Sequence, residues 1–244
     1  MKDTVQAIAL GSVRYGDSSL IVACYTRQYG LQSYMLKGIL SAKRNKKLSK
    51  SFFEPLTLLE FEAKRNQDHK LGYLQQVHLL YPYTSIPFDL RKKAVVFFLA
   101  EIFHQVVKEE QQEANPSLFD FFQKRMLWLD ENDTIGLFHL KTVLDLTLFM
   151  GFDPNMSDRD APYFDLESGC MSRYRPKAYF IEGRLKNLWV EILGMKFDTV
   201  AEINVSREEK AALLEYAIKY FKLHLQQFKS PKSTEILNEL FKVS

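Results

Sequence analysis

From Thr4 to about Tyr81 the apolar positions recur with a period of two. Val5, Ala7 and Ala9 share one face, as do Leu20, Val22 and Cys24. Leu31, Ser33 and Met35 oppose Gln32, Tyr34 and Leu36, and Pro55 to Phe61 is a dense apolar segment. This alternation predicts short strands, and Gly11, Gly16, Gly30, Gly38 and Gly72 punctuate them as turns or bulges. Five strands with glycines at the bends suit a small barrel, with the five-stranded oligonucleotide-binding barrel (OB-fold) as leading candidate. Any other small antiparallel barrel fits the same pattern, and strand spacing alone does not separate the two.

After Tyr81-Pro82-Tyr83 the period changes to three or four. Val95, Leu99, Ile102 and Val106 predict an amphipathic helix over Arg91 to Lys108. Asn115-Pro116 reads as an N-cap followed by a first-turn proline, opening a helix through Phe119, Phe122, Met126 and Leu129. A third helix runs from about Ile135 to Met150 and stops at Gly151. Residues 152–182, with Pro154, Pro162, Pro176 and Gly169, break the rhythm and read as a loop or hairpin insertion. Helices resume at about Leu185 to Leu193, then from Ser206, spaced from Glu209 as in a capping box, to about Phe228, and a short one follows Pro231. The expectation is an α+β chain: a barrel over residues 1–81, then a helical bundle over 82–244 carrying the insertion.

Charge sharpens this division. The net charge is only +3, yet residues 1–80 hold 12 basic and 6 acidic residues, leaving the first third at +6 and the remainder at −3. Between Lys37 and Lys50 stand six cations, Lys37, Lys43, Arg44, Lys46, Lys47 and Lys50, with no carboxylate among them. A basic loop on a β-barrel is a natural grip for a phosphate backbone, because each cation that meets a phosphate releases condensed counterions. Lys-rich loops are also commonly mere solvated surface, and the run alone does not decide between the two. Tyr15, Tyr25, Tyr29 and Tyr34 lie on strands or turns leading toward it; exposed rings stack on unpaired bases, and half of these four suit a core or packing role equally well.

Other chemistry finds little support. Two cysteines, Cys24 and Cys170, provide neither a disulfide framework nor a four-cysteine metal site, which fits a reducing, cytoplasmic setting. There is no phosphate-binding glycine loop, no Gly-x-Ser-x-Gly and no His-Glu-x-x-His. The five histidines are scattered and read as surface or core residues. The acidic group Asp153, Asp158, Asp160, Asp165 and Glu167 matches no calcium loop and reads as a solvated loop. No signal core opens the chain, and the longest apolar run, Ala94 to Ala100, is too short to span a bilayer. The expectation is therefore no catalytic residues, no cofactor, no metal and no membrane contact.

Several short motifs in order resemble the RecO family of bacterial recombination mediators. They are Gly16-Asp17-Ser18-Ser19-Leu20-Ile21-Val22, Thr26, Gly30, Lys37-Gly38 and the basic stretch Lys43 to Lys50. After these come Phe53-Glu54-Pro55 to Glu60, Phe138 to Gly151 with Pro154, and Lys232-Ser233 with Leu237. Two positions depart from the family pattern. Thr234 stands where arginine is usual, and the four-cysteine zinc knuckle that many members place after Gly-x-x-Pro is missing, so packing through Tyr163, Phe164, Tyr179 and Phe180 is expected to hold that insertion.

The resemblance implies a DNA repair factor without turnover. Such a factor binds single- and double-stranded DNA, anneals complementary strands, engages the acidic C-terminal tail of single-stranded DNA-binding protein, and works with RecR to load RecA. Arg14, Tyr34, Lys37, Lys43, Arg44, Lys46, Lys47 and Lys50 are the expected DNA-contacting residues. Lys124, Arg125, Lys141 and Lys232 are the expected cations for partners, the first three rimming an apolar groove for the tail. The competing expectation, of another class, is a non-catalytic interaction scaffold whose barrel is a docking module.

Overall fold

The computed structural model describes residues 3–41, 49–64, 71–74, 76–109, 114–199 and 203–242. The chain divides into two compact units, Met1–Glu131 and Asn132–Ser244.

The first unit begins with a curled sheet. Its strands are β1 (Asp3–Tyr15), β2 (Ser19–Thr26), β3 (Gly30–Leu36), β4 (Leu58–Ala63), β5 (Gly72–Tyr73) and β6 (Val77–Leu79), in the order β5-β3-β2-β1-β4-β6. β5 runs parallel to β3 on one edge, and β6 runs antiparallel to β4 on the other. Only residues 74–76 separate β5 from β6, so one stretch of chain serves both edges. This is the connectivity of a five-stranded OB barrel whose last strand is interrupted, and it accounts for six strands where the sequence pattern suggested five.

The interior is the face that the period of two marked out. Val5, Ala7 and Ala9 of β1 meet Leu20, Val22 and Cys24 of β2, Tyr34 and Leu36 of β3, and Leu59, Phe61 and Ala63 of β4; Phe53, Leu74 and Val77 complete the cluster. A register shift between Ala9 and Gly11 places a bulge in β1. Beyond it Ser12–Tyr15 are exposed, so the strand leaves the core there.

Two helices belong to the same unit. α1 (Leu90–Glu109) and α2 (Pro116–Glu131) pack through Phe103 and Phe122, whose rings stack 3.5 Å apart, and Tyr25 meets Phe103 edge-on at 5.2 Å. Asn115 caps α2, its side-chain oxygen accepting from the Leu118 N–H at 3.0 Å. The cap is tied to the barrel. The Tyr25 hydroxyl accepts from the Asn115 N–H at 3.2 Å and donates to the Asn115 carbonyl at 3.3 Å. Arg27 forks onto Asp120 with two contacts of 3.0 Å, and this guanidinium holds the Asp120 carboxyl below its ordinary range.

Asp130, buried at the end of α2, binds the segment that leads into α1. Its carboxylate accepts from the backbone N–H groups of Thr84, Ser85 and Ile86 at 2.8, 2.8 and 2.9 Å. Buried Lys92 donates to Ser85 Oγ at 2.6 Å and to the Asp130 carbonyl at 3.2 Å. Burial pushes the Asp130 carboxyl up, but the three backbone donors and the Thr84 hydroxyl outweigh it and leave it below its usual value.

The second unit contains α3 (Phe138–Phe149), α4 (Gly183–Gly194), α5 (Arg207–His224) and α6 (Thr234–Lys242). The reciprocal bonds between Ser206 and Glu209 form the capping box of α5. That helix ends at His224, four residues before the expected stop. Between α3 and α4, over the stretch expected as a loop or hairpin insertion, lies a three-stranded sheet of β7 (Tyr163–Asp165), β8 (Cys170–Ser172) and β9 (Phe180–Glu182), ordered β8-β7-β9. Phe164 anchors it, fully buried against Trp189 of α4 and Tyr220 of α5 at 5.6 and 6.0 Å. Tyr163 and Phe180 meet edge-on at 5.6 Å.

Candidate nucleic-acid interface

One end of the barrel carries the exposed cations and rings. β1 and β2 join there through a turn at Gly16, whose φ of 58° lies in the left-handed region that glycine adopts without penalty. Arg14 folds over this turn, donating Nε to the Gly16 carbonyl at 3.3 Å and Nη2 to the Asp17 carbonyl at 3.1 Å. β3 ends at the same level, since Leu20 pairs with Leu36. The Lys37-Gly38 turn follows, closed by the Ser41 N–H and hydroxyl on the Gly38 carbonyl at 3.1 and 2.7 Å. The Leu40 N–H donates to the Ser18 carbonyl at 2.9 Å and binds the two turns side by side.

Among the described residues, two exposed rings stand at this end. Tyr15 closes β1 opposite Ser19 and is 55% exposed. Tyr73 of β5 pairs with Met35, is 58% exposed and lies under the Lys37 ammonium, 4.6 Å from its centroid. Tyr73 was missed by sequence reading, because it sits on a two-residue strand with no alternation of its own. Its signal was its place just after Gly72, on the strand that closes an OB barrel against β3.

Of the expected contacts, Arg14 and Lys37 are exposed at this end, and Lys50 is exposed at the start of a short 3-10 turn, Lys50–Phe53, whose Phe53 plugs into the core. Lys43, Arg44, Lys46 and Lys47 lie outside the described residues. Tyr34 is a correction. Its ring is buried in the barrel, edge-on to Phe61 at 5.1 Å, and no base can reach it. Burial, then the neighbouring Cys24 and Tyr29, pushes its hydroxyl pKa upward. Tyr25 is equally buried and serves the cap of α2, so of the four tyrosines near the basic run only Tyr15 is exposed at this end.

The expected partner cations do not share one setting. Lys124 and Arg125 lie on α2 of the first unit, Lys141 and Lys232 in the second. Lys124 and Lys232 are exposed. Arg125 is buried, its guanidinium 4.7 Å from the Phe121 ring centroid, and Lys141 is buried with Nζ 2.7 Å from Asp145 and 3.3 Å from the Leu193 carbonyl. Neither is a rim cation. Both were misjudged for one reason: a long cationic stem also packs well inside a helix bundle when its head finds an oxygen or a ring.

Among the described residues, no three His, Cys, Asp or Glu side chains come together as metal ligands, and no helix is long and apolar enough to cross a membrane. The residues at the position of the zinc knuckle do not suit zinc. Asp158 is engaged by Arg173 at 2.8 Å, Asp165 accepts from the Glu167 N–H and the Ser168 hydroxyl at 2.9 Å each, and Cys170 stands without a second thiol in the insertion.

The connectivity and the exposed basic, aromatic end define the class: an α+β protein with an OB-type barrel ahead of a helical region. Comparison with known proteins makes this particular. The family model for Recombination protein O N terminal matches residues 1–83, and that for Recombination protein O C terminal matches residues 87–234. A protein of Flavobacterium psychrophilum called DNA repair protein RecO is 35% identical over 242 residues, covering 99% of this chain and all of the relative. Relatives of the same name from Christiangramia forsetii and Bacteroides fragilis are 36% and 32% identical, covering 97% and 96% of this chain and 98% and 97% of their own length. The chain belongs to the RecO family.

Proposed function

We propose that this protein is a DNA repair and recombination mediator of the bacterial cytoplasm that binds single- and double-stranded DNA, anneals complementary strands and acts without catalytic turnover. The observation that carries this reading is the end of the barrel where Arg14, Lys37, Tyr15 and Tyr73 stand exposed beside the turn that leads into the run Lys43 to Lys50. Cations there meet the phosphate backbone without reading sequence, and the rings offer stacking faces to unpaired bases. Tyr25, Arg27 and Asn115 fix the opposite end of β2 to α2.

The kinship with proteins named DNA repair protein RecO supports the wider role, which is to help RecA load, together with RecR, onto single strands coated by single-stranded DNA-binding protein. Exposed Lys124 and Lys232 are the remaining candidates for contact with the acidic tail of that protein, through charge complementarity.

Fluorescence anisotropy with a labelled oligonucleotide tests the central point. Micromolar or tighter binding at low salt, weakened steeply by added salt, is the expected result. Protein binding with no measurable affinity for DNA would favour an interaction scaffold instead.

A further inference from the structure

A second basic and aromatic surface stands in the second unit, on the connection between β8 and β9. Residues 173–179 read Arg-Tyr-Arg-Pro-Lys-Ala-Tyr, three cations interleaved with two rings and no carboxylate. The Ser172 side chain fixes the start of the loop: its hydroxyl donates to the Tyr174 carbonyl at 2.7 Å and accepts from the Tyr174 N–H at 3.3 Å. Tyr174 is thereby left 86% exposed. Tyr179 adopts a φ of 51°, a left-handed conformation that costs a non-glycine residue free energy, and its carbonyl is pinned by the Leu166 N–H at 2.8 Å.

Cations lie against the rings. The Lys219 ammonium of α5 is 3.6 Å from the Tyr179 ring centroid, and the Arg175 guanidinium is 5.1 Å from that of Phe180. Two carboxylates answer the four cations: Asp158 pairs with Arg173 at 2.8 Å and Glu182 with Arg175 at 3.6 Å. Both pairs are solvent-exposed, and such pairs contribute little, so a phosphate can displace either carboxylate.

We propose that this loop is a separate contact for single-stranded DNA, which holds a second strand while the barrel holds the first. The proposal rests on the reading of the protein as a DNA binder and adds what annealing requires of one chain, two strands held at once. An acidic peptide would use the cations but not the exposed face of Tyr174. Rings alternating with cations favour a ligand that carries both phosphates and flat bases.

The test is transfer of fluorescence energy between two non-complementary oligonucleotides, one donor-labelled and one acceptor-labelled, bridged by the full chain. Replacing Tyr174→Ala together with Lys177→Glu, both at exposed positions, should lower the bridging signal at least tenfold. Affinity for one labelled oligonucleotide at the barrel should change by less than about threefold. Tyr174→Phe, which keeps the ring, should retain bridging. If the wild type binds oligonucleotide but the double variant bridges equally well, the second site is refuted while DNA binding stands. If the wild type binds no oligonucleotide, the underlying reading fails instead. Polyglutamate that displaces the second strand as potently as unlabelled oligothymidylate would mark the loop as a general anion surface and overturn the assignment to DNA.

Discussion

The Lys37 ammonium lies 4.6 Å from the centroid of the Tyr73 ring, joining the turn after β3 to the strand that closes the barrel. A cation on an exposed ring is worth about 0.5–1 kcal/mol, whereas a base stacked on such a ring is worth about 1–3 kcal/mol. A single strand bound at this end would therefore gain more from stacking on Tyr73 than is lost if Lys37 must swing away. Tyr73→Ala is expected to weaken binding of a single strand by about 5- to 100-fold and to affect duplex binding far less, since paired bases offer no free face. Parallel anisotropy titrations check this, and equal losses on both substrates would contradict a stacking role.

Tyr25 gives the contrasting case. Its hydroxyl serves the cap of α2, so Tyr25→Phe should cost about 1 kcal/mol of stability and leave DNA affinity unchanged. Urea unfolding and anisotropy on the same preparation measure both. A loss of affinity without a loss of stability would assign Tyr25 to the interface.

Asp130 ties the end of α2 to the segment that leads into α1. Asp130→Ala would strip the partner from three backbone N–H groups and from the Thr84 hydroxyl, while keeping the carbonyl that accepts from buried Lys92, and is expected to cost about 3 kcal/mol or more. Because its folded pKa lies below the unfolded value, the carboxylate's stabilisation is complete above the unfolded pKa of about 4 and is lost as pH falls through the folded value. Unfolding of wild type and variant should converge toward strongly acid pH. A constant difference down to pH 2 would contradict the ionised role.

His139 makes a prediction nearer neutrality. Burial, with a smaller push from Lys210, lowers its pKa from 6.5 to about 3. The unfolded chain then takes up a proton near pH 6.5 that the folded chain refuses, so stability falls as pH drops below 6.5, by about 1.4 kcal/mol per pH unit. His139→Leu should flatten the dependence of the urea midpoint between pH 6.5 and 5. An unaltered slope would place the proton elsewhere.

Much of this was legible in the sequence because alternation and helical periods report directly on which face is buried. The barrel face of Val5, Leu20, Val22 and Leu59, the Asn115 cap and the Ser206 capping box follow from pattern and local chemistry alone. Tyr34 shows where reading faltered: it shares its face with Leu36, and that alternation points both inward, yet a tyrosine near a basic run invited a binding role. Lys141 and Arg125 faltered for the opposite reason, since the oxygen and the ring that let a cation be buried come from packing and side-chain geometry that the pattern of apolar positions does not specify. Tyr73 and the β8–β9 loop became visible only with the fold. Two-residue strands and short connections carry no period, and which rings stand beside which cations is set by tertiary packing.

If the Lys37 to Lys50 end of the barrel grips the DNA backbone, as proposed, its cations set the salt dependence of binding. A salt titration of single-strand binding compares the wild type with the variant in which Lys43, Arg44, Lys46 and Lys47 are all changed to Glu. Each lost phosphate contact should reduce the slope of log affinity against log salt by about 0.7, up to about 3 for all four, with affinity at low salt falling by orders of magnitude. Identical slopes and affinities for the two proteins would contradict the account.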